Sequence, residues 1–176
     1  MRFFFYGTLM DCDLLPLVLG RPVDQSALKP ALLRGYRRSA LQGLDYPVIL
    51  PEPSAWVRGV ILNGASEVDC DRLRRYEGAD YVLMRGVAEL PLGLPQSVLY
   101  FEPRPDAFVA TGKPWSLARW RLRVEPSELR RLGLRATTAI APFRSLCKGA
   151  LVSPVRWKRQ FLTAAFAIWR WRRCPD

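Results

Sequence analysis

The chain has 176 residues, 27 Lys+Arg against 16 Asp+Glu, no histidine, four cysteines and 49% hydrophobic residues. That length and balance predict one soluble globular domain with an extension. Without histidine, a histidine-dependent triad, a Cys–His pair and a His-ligated zinc or haem site are excluded, so any proton transfer uses other groups.

In chain order, Arg2 to Tyr6 is a continuous apolar run closed by Gly7, the pattern of a strand buried on both faces. Leu14, Leu15, Leu17, Val18 and Leu19 crowd a stretch ending at Gly20 and predict a short helix, with Asp11 or Asp13 as its cap. Further strands are expected at Ala31 to Arg38, Ala55 to Leu62, Val82 to Leu90 and Ser97 to Glu102. Pro47, Pro51, Pro53, Gly64, Pro91, Gly93, Pro95, Pro103 and Pro105 read as the punctuation between them. Val68, Leu73 and Tyr76 lie at near-helical spacing, which places Glu77 at the end of a short helix, and Gly78 supplies the turn. Pro126 to Leu132, stopped by Gly133, reads as another short helix. Pro154 to Arg173 reads as a longer, basic, amphipathic one, with Trp157, Phe161, Ile168 and Trp169 on its apolar face.

Charge divides the chain. Residues 1 to 124 carry 16 basic and 13 acidic side chains, while residues 125 to 176 carry 11 and 3, so the basicity belongs mostly to the tail. Cys12, Cys70, Cys147 and Cys174 are too far apart for a Cys-x-x-Cys pair or a zinc knuckle. The start carries no secretory hydrophobic region and the chain no spanning run of about 20 apolar residues. These features predict an intracellular, cytoplasmic protein with reduced thiols.

Several motifs follow one another in a set order. Tyr6-Gly7-Thr8-Leu9 comes directly after the first strand and Gly35-Tyr36 closes the next. Tyr46-Pro47 with Pro51, Val57-x-Gly59-Val60, Tyr76-Glu77-Gly78 with Tyr81, and Val98-x-Tyr100 complete the order. This arrangement resembles the gamma-glutamylcyclotransferase-like family, which includes gamma-glutamylamine cyclotransferases and AIG2-like proteins. Pro114 to Trp120 resembles the segment that closes the AIG2-like domain, so the resemblance covers residues 1 to 124. It implies an α+β fold, a small mixed β-barrel with short helices, to which residues 125 to 176 add a basic C-terminal extension. It also implies that Glu77 is the catalytic carboxylate, with Tyr6, Gly7, Thr8 and Leu9 as substrate cradle and Tyr81 and Tyr100 as weaker candidates for lining the cavity. Arg74 and Leu83 stand where family members commonly carry an aspartate and an arginine; Arg85, two residues on, shares the strand face of Leu83. Asp80 is the nearest substitute for Glu77.

The chemistry expected of such a site needs little equipment. To release 5-oxoproline from a gamma-glutamyl amide, the substrate's own α-amine attacks its own γ-carbonyl, and no enzyme nucleophile is required. One carboxylate can take the amine's proton and return it to the leaving nitrogen, a role worth roughly 10²–10⁴ in rate. Holding the glutamyl group bent captures much of the proximity advantage. Consecutive N–H groups at Gly7-Thr8-Leu9 suit an α-carboxylate or the developing oxyanion, and a side chain at position 7 would obstruct close approach. No metal or organic cofactor is implied, since the reaction is redox-neutral and the acids form no ligand-like cluster.

The alternative is a non-catalytic member of the same fold that binds a small amino-acid-like ligand or acts as a scaffold through its tail. For the helix at 154–173, docking on the barrel, lying on an anionic membrane surface, and meeting nucleic acid or an acidic partner are the three readings. The second would put the protein peripherally at the inner membrane surface. No specific nucleic-acid motif accompanies the third.

Overall fold

A computed structural model describes residues 1–131. The helix expected at 154–173, with the interactions expected of the tail beyond residue 131, lies outside the described residues. Five strands form a closed barrel in the order β1-β3-β2-β4-β5: β1 (Arg2–Phe5), β2 (Leu28–Ala40), β3 (Pro47–Asn63), β4 (Tyr81–Glu89) and β5 (Pro95–Pro103). β1 runs antiparallel to β3, from Arg2↔Asn63 to Phe5↔Val60, and parallel to β5 at Phe3↔Leu99, which closes the barrel. The β2–β3 and β4–β5 hairpins supply the long antiparallel ladders, joined by the short pairing of Leu32 and Leu33 with Glu89 and Ala88.

Alternation along the strands sorts the apolar side chains into two clusters. Phe4, Ala31, Leu33, Ile49, Val57, Ile61, Ala88, Val98 and Tyr100 come from all five strands and fill the barrel. Phe3, Phe5, Leu62 and Phe101 face the other way, against the helices, where Leu14, Leu15, Leu19, Leu73 and Trp120 complete a second core. Gly59 exists because of the first cluster: a Cβ there would sit 2.2 Å from the Phe5 carbonyl oxygen and 2.5 Å from the Phe4 ring.

β2, β3 and β5 run longer than expected. β3 passes through Pro47, Pro51 and Pro53, which the sequence presents as breaks. The register with β2 shifts between Arg34 and Tyr36, at Gly35 with φ +82°, and Pro51 pairs with Tyr36 just past that bulge. A bulge is where proline is tolerated in a ladder.

Among the described residues, four short α-helices pack outside. α1 (Leu14–Leu19) ends on Gly20 in the left-handed conformation, and Asp11 Oδ1 accepts the N–H groups of Asp13 and Leu14, both at 2.9 Å. α2 (Glu67–Glu77) opens on a reciprocal capping box between Ser66 and Asp69. Asp69 also takes a fork from Arg21, with contacts of 2.8 to 3.2 Å, which holds its carboxyl down at about 2. α3 (Leu117–Arg123) buries Trp120, and α4 (Glu125–Arg131) follows at once. No described helix is long and apolar enough to cross a membrane. Cys70 is a free, buried thiol.

Candidate active site

Tyr6, just beyond β1, and Glu77, at the end of α2, meet in one cavity of about 280 Å³. Three pieces of chain deliver its chemistry: the turn beyond β1, the end of α2 with the start of β4, and α4. The turn beyond β1 is a single 3₁₀ turn at Thr8–Met10, closed by Met10 N–H to Gly7 O (3.1 Å) and Asp11 N–H to Thr8 O (2.8 Å). The N–H groups of Gly7, Thr8 and Leu9 therefore open the turn with no backbone acceptor among the described residues. Gly7 packs under Pro47, whose Cγ lies 3.0 Å from where a Cβ would be, so a side chain there would push on the cavity wall.

Glu77 is the last residue of α2. Its neighbour Gly78 takes φ +81° and ψ −172°, a backbone region essentially reserved for glycine, and its N–H donates to Arg74 O at 3.0 Å. The chain then reverses into β4 at Tyr81, so helix end and strand start both face the cavity. No hydrogen bond or ion pair to the Glu77 carboxylate is found among the described residues. Burial disfavours its charged form and raises its pKa to about 7. The carbonyl end of α2 acts in the same direction.

Around it stand phenols. Tyr6, Tyr76 and Tyr81 are each pushed above the ordinary tyrosine value, chiefly by burial, and the nearby Glu77 charge adds to this. They remain neutral at physiological pH. The Tyr6 hydroxyl donates to Phe101 O at 2.8 Å, so its proton is committed to the fold. Tyr76 OH and Thr8 Oγ1 lie 3.3 Å apart, tying the end of α2 to the loop beyond β1. Tyr81 packs on Phe108 with ring centroids 5.3 Å apart.

The structure thus brings Tyr6, Gly7, Thr8, Leu9, Glu77 and Tyr81 to one cavity and leaves Tyr100 out of it. Tyr100 points into the barrel, where its hydroxyl lies 3.0 Å from that of Tyr36, which in turn donates to Glu102 at 3.1 Å. The reason is parity: Val98 and Tyr100 face the barrel interior, and Phe101, one residue on, reaches the cavity. Asp80 and Arg85 are exposed and do not line this cavity, Arg74 pairs with Asp71 at the surface, and Leu83 packs on the helix-side core. Among the described residues no cluster of three or more potential metal ligands occurs.

Sequence reasoning missed Glu128 and Arg131. Both come from α4 and line the same cavity. Glu128 is buried, its two oxygens are forked by Arg131, and Oε2 lies 3.5 Å from the Tyr46 hydroxyl. Nothing local in a basic tail marks a glutamate whose partner lies 82 residues away.

A small closed barrel, a glycine-bearing turn after its first strand, and a sheltered helix-end glutamate across one cavity define a class of protein. The chain belongs to the gamma-glutamyl cyclotransferase, AIG2-like family, whose model matches residues 3–117. It is 35% identical to the Arabidopsis thaliana protein AIG2 C over 78 residues, 44% of this chain and 46% of that one. It is also 35% identical to AIG2-like protein D of the same plant over 124 residues, 67% of this chain and 77% of the relative. The chain spans about half the length of the AIG2 C protein that it matches. In fold it resembles an Arabidopsis thaliana protein solved in solution, with a TM-score of 0.54, 23% identity and coverage of 74% and 86% of the two chains. A solved gamma-glutamyl cyclotransferase gives a TM-score of 0.50 at 12% identity, over 78% of this chain and 89% of that one.

Proposed function

We propose that the protein is a cofactor-independent gamma-glutamylcyclotransferase that releases 5-oxoproline from a gamma-glutamyl amine or peptide, with Glu77 as general base and then general acid. One observation carries this reading: a half-buried carboxylate lining a cavity, without an ion-pair partner among the described residues and raised to about 7, is poised to exchange protons near neutrality.

The substrate enters with its α-nitrogen as an ammonium. Ionised Glu77 takes one proton, and the free amine attacks the γ-carbonyl carbon, forming the ring C–N bond and a tetrahedral oxyanion. Glu77 passes that proton to the departing nitrogen and, ionised again, takes a second one from the attacking nitrogen. Collapse of the oxyanion breaks the bond to the departing nitrogen, which receives both protons and leaves as an ammonium, while the ring keeps one N–H. The step is an intramolecular displacement with no change of oxidation state. The N–H groups at Gly7, Thr8 and Leu9 supply donors for the α-carboxylate or oxyanion. The aromatic walls of Tyr6, Tyr81 and Phe101 hold the chain bent and limit water.

The test is incubation with a panel of gamma-glutamyl amines, gamma-glutamyl dipeptides and glutathione, reading 5-oxoproline. Turnover by the unchanged chain and its loss in Glu77→Gln support the reading. Turnover that survives Glu77→Gln removes the catalytic assignment, and ligand binding without any turnover favours the non-catalytic alternative.

A further inference from the structure

The family model stops at residue 117, but the cavity wall continues beyond it. Of the three charged side chains lining the cavity among the described residues, Glu77 lies inside the matched stretch and Glu128 and Arg131 lie outside it. Glu128 and Arg131 stand three residues apart on α4 and share a face. Arg131 donates from Nε to Glu128 Oε2 at 3.1 Å and from its terminal nitrogen to Oε1 at 2.6 Å. The glutamate side chain is 7% exposed and the arginine side chain 63%. A guanidinium has five N–H donors, and this fork uses two. A buried carboxylate therefore fixes an accessible guanidinium at the cavity, with donors to spare, in a lining that is otherwise mostly apolar and phenolic.

We infer that Arg131 is a specificity residue that binds a carboxylate carried by the departing amine, and that Glu128 is the positioning residue that holds it. The inference rests on the cyclotransferase reading and names its substrate class: gamma-glutamyl compounds whose leaving group is an α-amino acid, with its carboxylate next to the scissile nitrogen. The glutamyl half is accounted for deeper in, its amine beside Glu77 and its own carboxylate at the Gly7–Leu9 turn. Arg131, the most exposed charged group of the lining, meets the half that departs. Both Glu128 oxygens are engaged by Arg131, so what the pair offers that half is the remaining N–H donors of the guanidinium.

The experiment uses the full chain and a matched pair, gamma-glutamylalanine and gamma-glutamylethylamine, which differ by one carboxylate. Release of 5-oxoproline from each is measured as kcat/KM, and the Kd of each is measured by calorimetry in the Glu77→Gln background. The unchanged chain is expected to favour gamma-glutamylalanine by roughly tenfold, the scale of one hydrogen-bonded charge contact that is partly exposed. Arg131→Gln brings the ratio near one. The double variant Glu128→Gln/Arg131→Gln does the same without leaving a lone buried carboxylate, and Arg131→Lys keeps only part of the preference because it lacks the fork. A ratio near or below one in the unchanged chain overturns the inference, as does a ratio that persists in both the single and double glutamine variants. If neither compound yields 5-oxoproline, the cyclotransferase reading falls. The Kd values then decide the role of Arg131: a carboxylate preference lost in Arg131→Gln supports it, and no binding or no preference overturns it.

Discussion

Replacing Glu77 by glutamine removes a charge that burial opposes, and the effect on stability has a sign and a pH window. The carboxyl titrates at about 7 in the fold against 4.5 when solvated. The folded state therefore holds its proton over a range in which the unfolded chain has released it, and stability falls as pH rises from about 4.5 to about 7. The raised value corresponds to at most about 3 kcal/mol, most of it between pH 5 and pH 8. Glu77→Gln, nearly isosteric and uncharged, escapes that loss. Urea unfolding of both proteins at pH 5 and pH 8 measures it: the variant's stability relative to the unchanged chain is expected to be about 2 kcal/mol more favourable at pH 8 than at pH 5. Loss of activity together with gain of stability is what a residue kept for chemistry at the expense of the fold should show. An equal difference at both pH values, or a variant that loses ground at pH 8, would mean that the carboxylate is well solvated or favourably paired, and would refute the reasoning.

Asp69→Asn breaks the fork with Arg21 and half of the capping box on α2, at a cost of about 1–2 kcal/mol near neutrality once the exposure of Arg21 is allowed for. Because Asp69 is held at about 2, its stabilisation is present above the unfolded value of 3.8 and is lost as pH falls towards 2, so acid unfolding curves of the two proteins should converge there; parallel curves would count against it. Gly59→Ala puts a methyl group 2.2 Å from the Phe5 carbonyl oxygen and against the Phe4 ring, and should cost ~3 kcal/mol, at the upper end for overpacking. A urea midpoint within error of the unchanged chain would show that β1 and β3 are less tightly apposed than described.

Much of this architecture was legible because local signals agree with the fold. The apolar run at Arg2 to Phe5, the capped stretch ending at Gly20 and the polar helix ending at Glu77 carry their own start and stop residues. The site was legible to the extent that it is contiguous: Tyr6 to Leu9 forms one turn, and Glu77, Gly78 and Tyr81 form one helix-to-strand junction. Three features were hidden for physical reasons. β3 crosses three prolines because a bulge at Gly35 resets the register, and a bulge is a property of the pair of strands. Tyr100 and Phe101 differ by one position, and only the closed barrel decides which of them faces the cavity. Glu128 and Arg131 join the site by packing α4 across it, a contact with no local pattern to announce it. The elevated pKa of Glu77 belongs with these, since desolvation is set by what folds around a side chain.

The central claim is that Glu77 moves protons during an intramolecular cyclisation. Its most direct test is the release of 5-oxoproline from gamma-glutamyl compounds by the unchanged chain and by Glu77→Gln, followed from pH 5 to pH 8.5. The account predicts a kcat that climbs with an apparent pKa near 7 as the base ionises, and a fall of roughly 10²–10⁴ in the variant on the plateau above that pKa, narrowing towards pH 5 as the base of the unchanged chain becomes protonated. A variant that matches the unchanged chain, or a rate that is flat through neutrality, would contradict it.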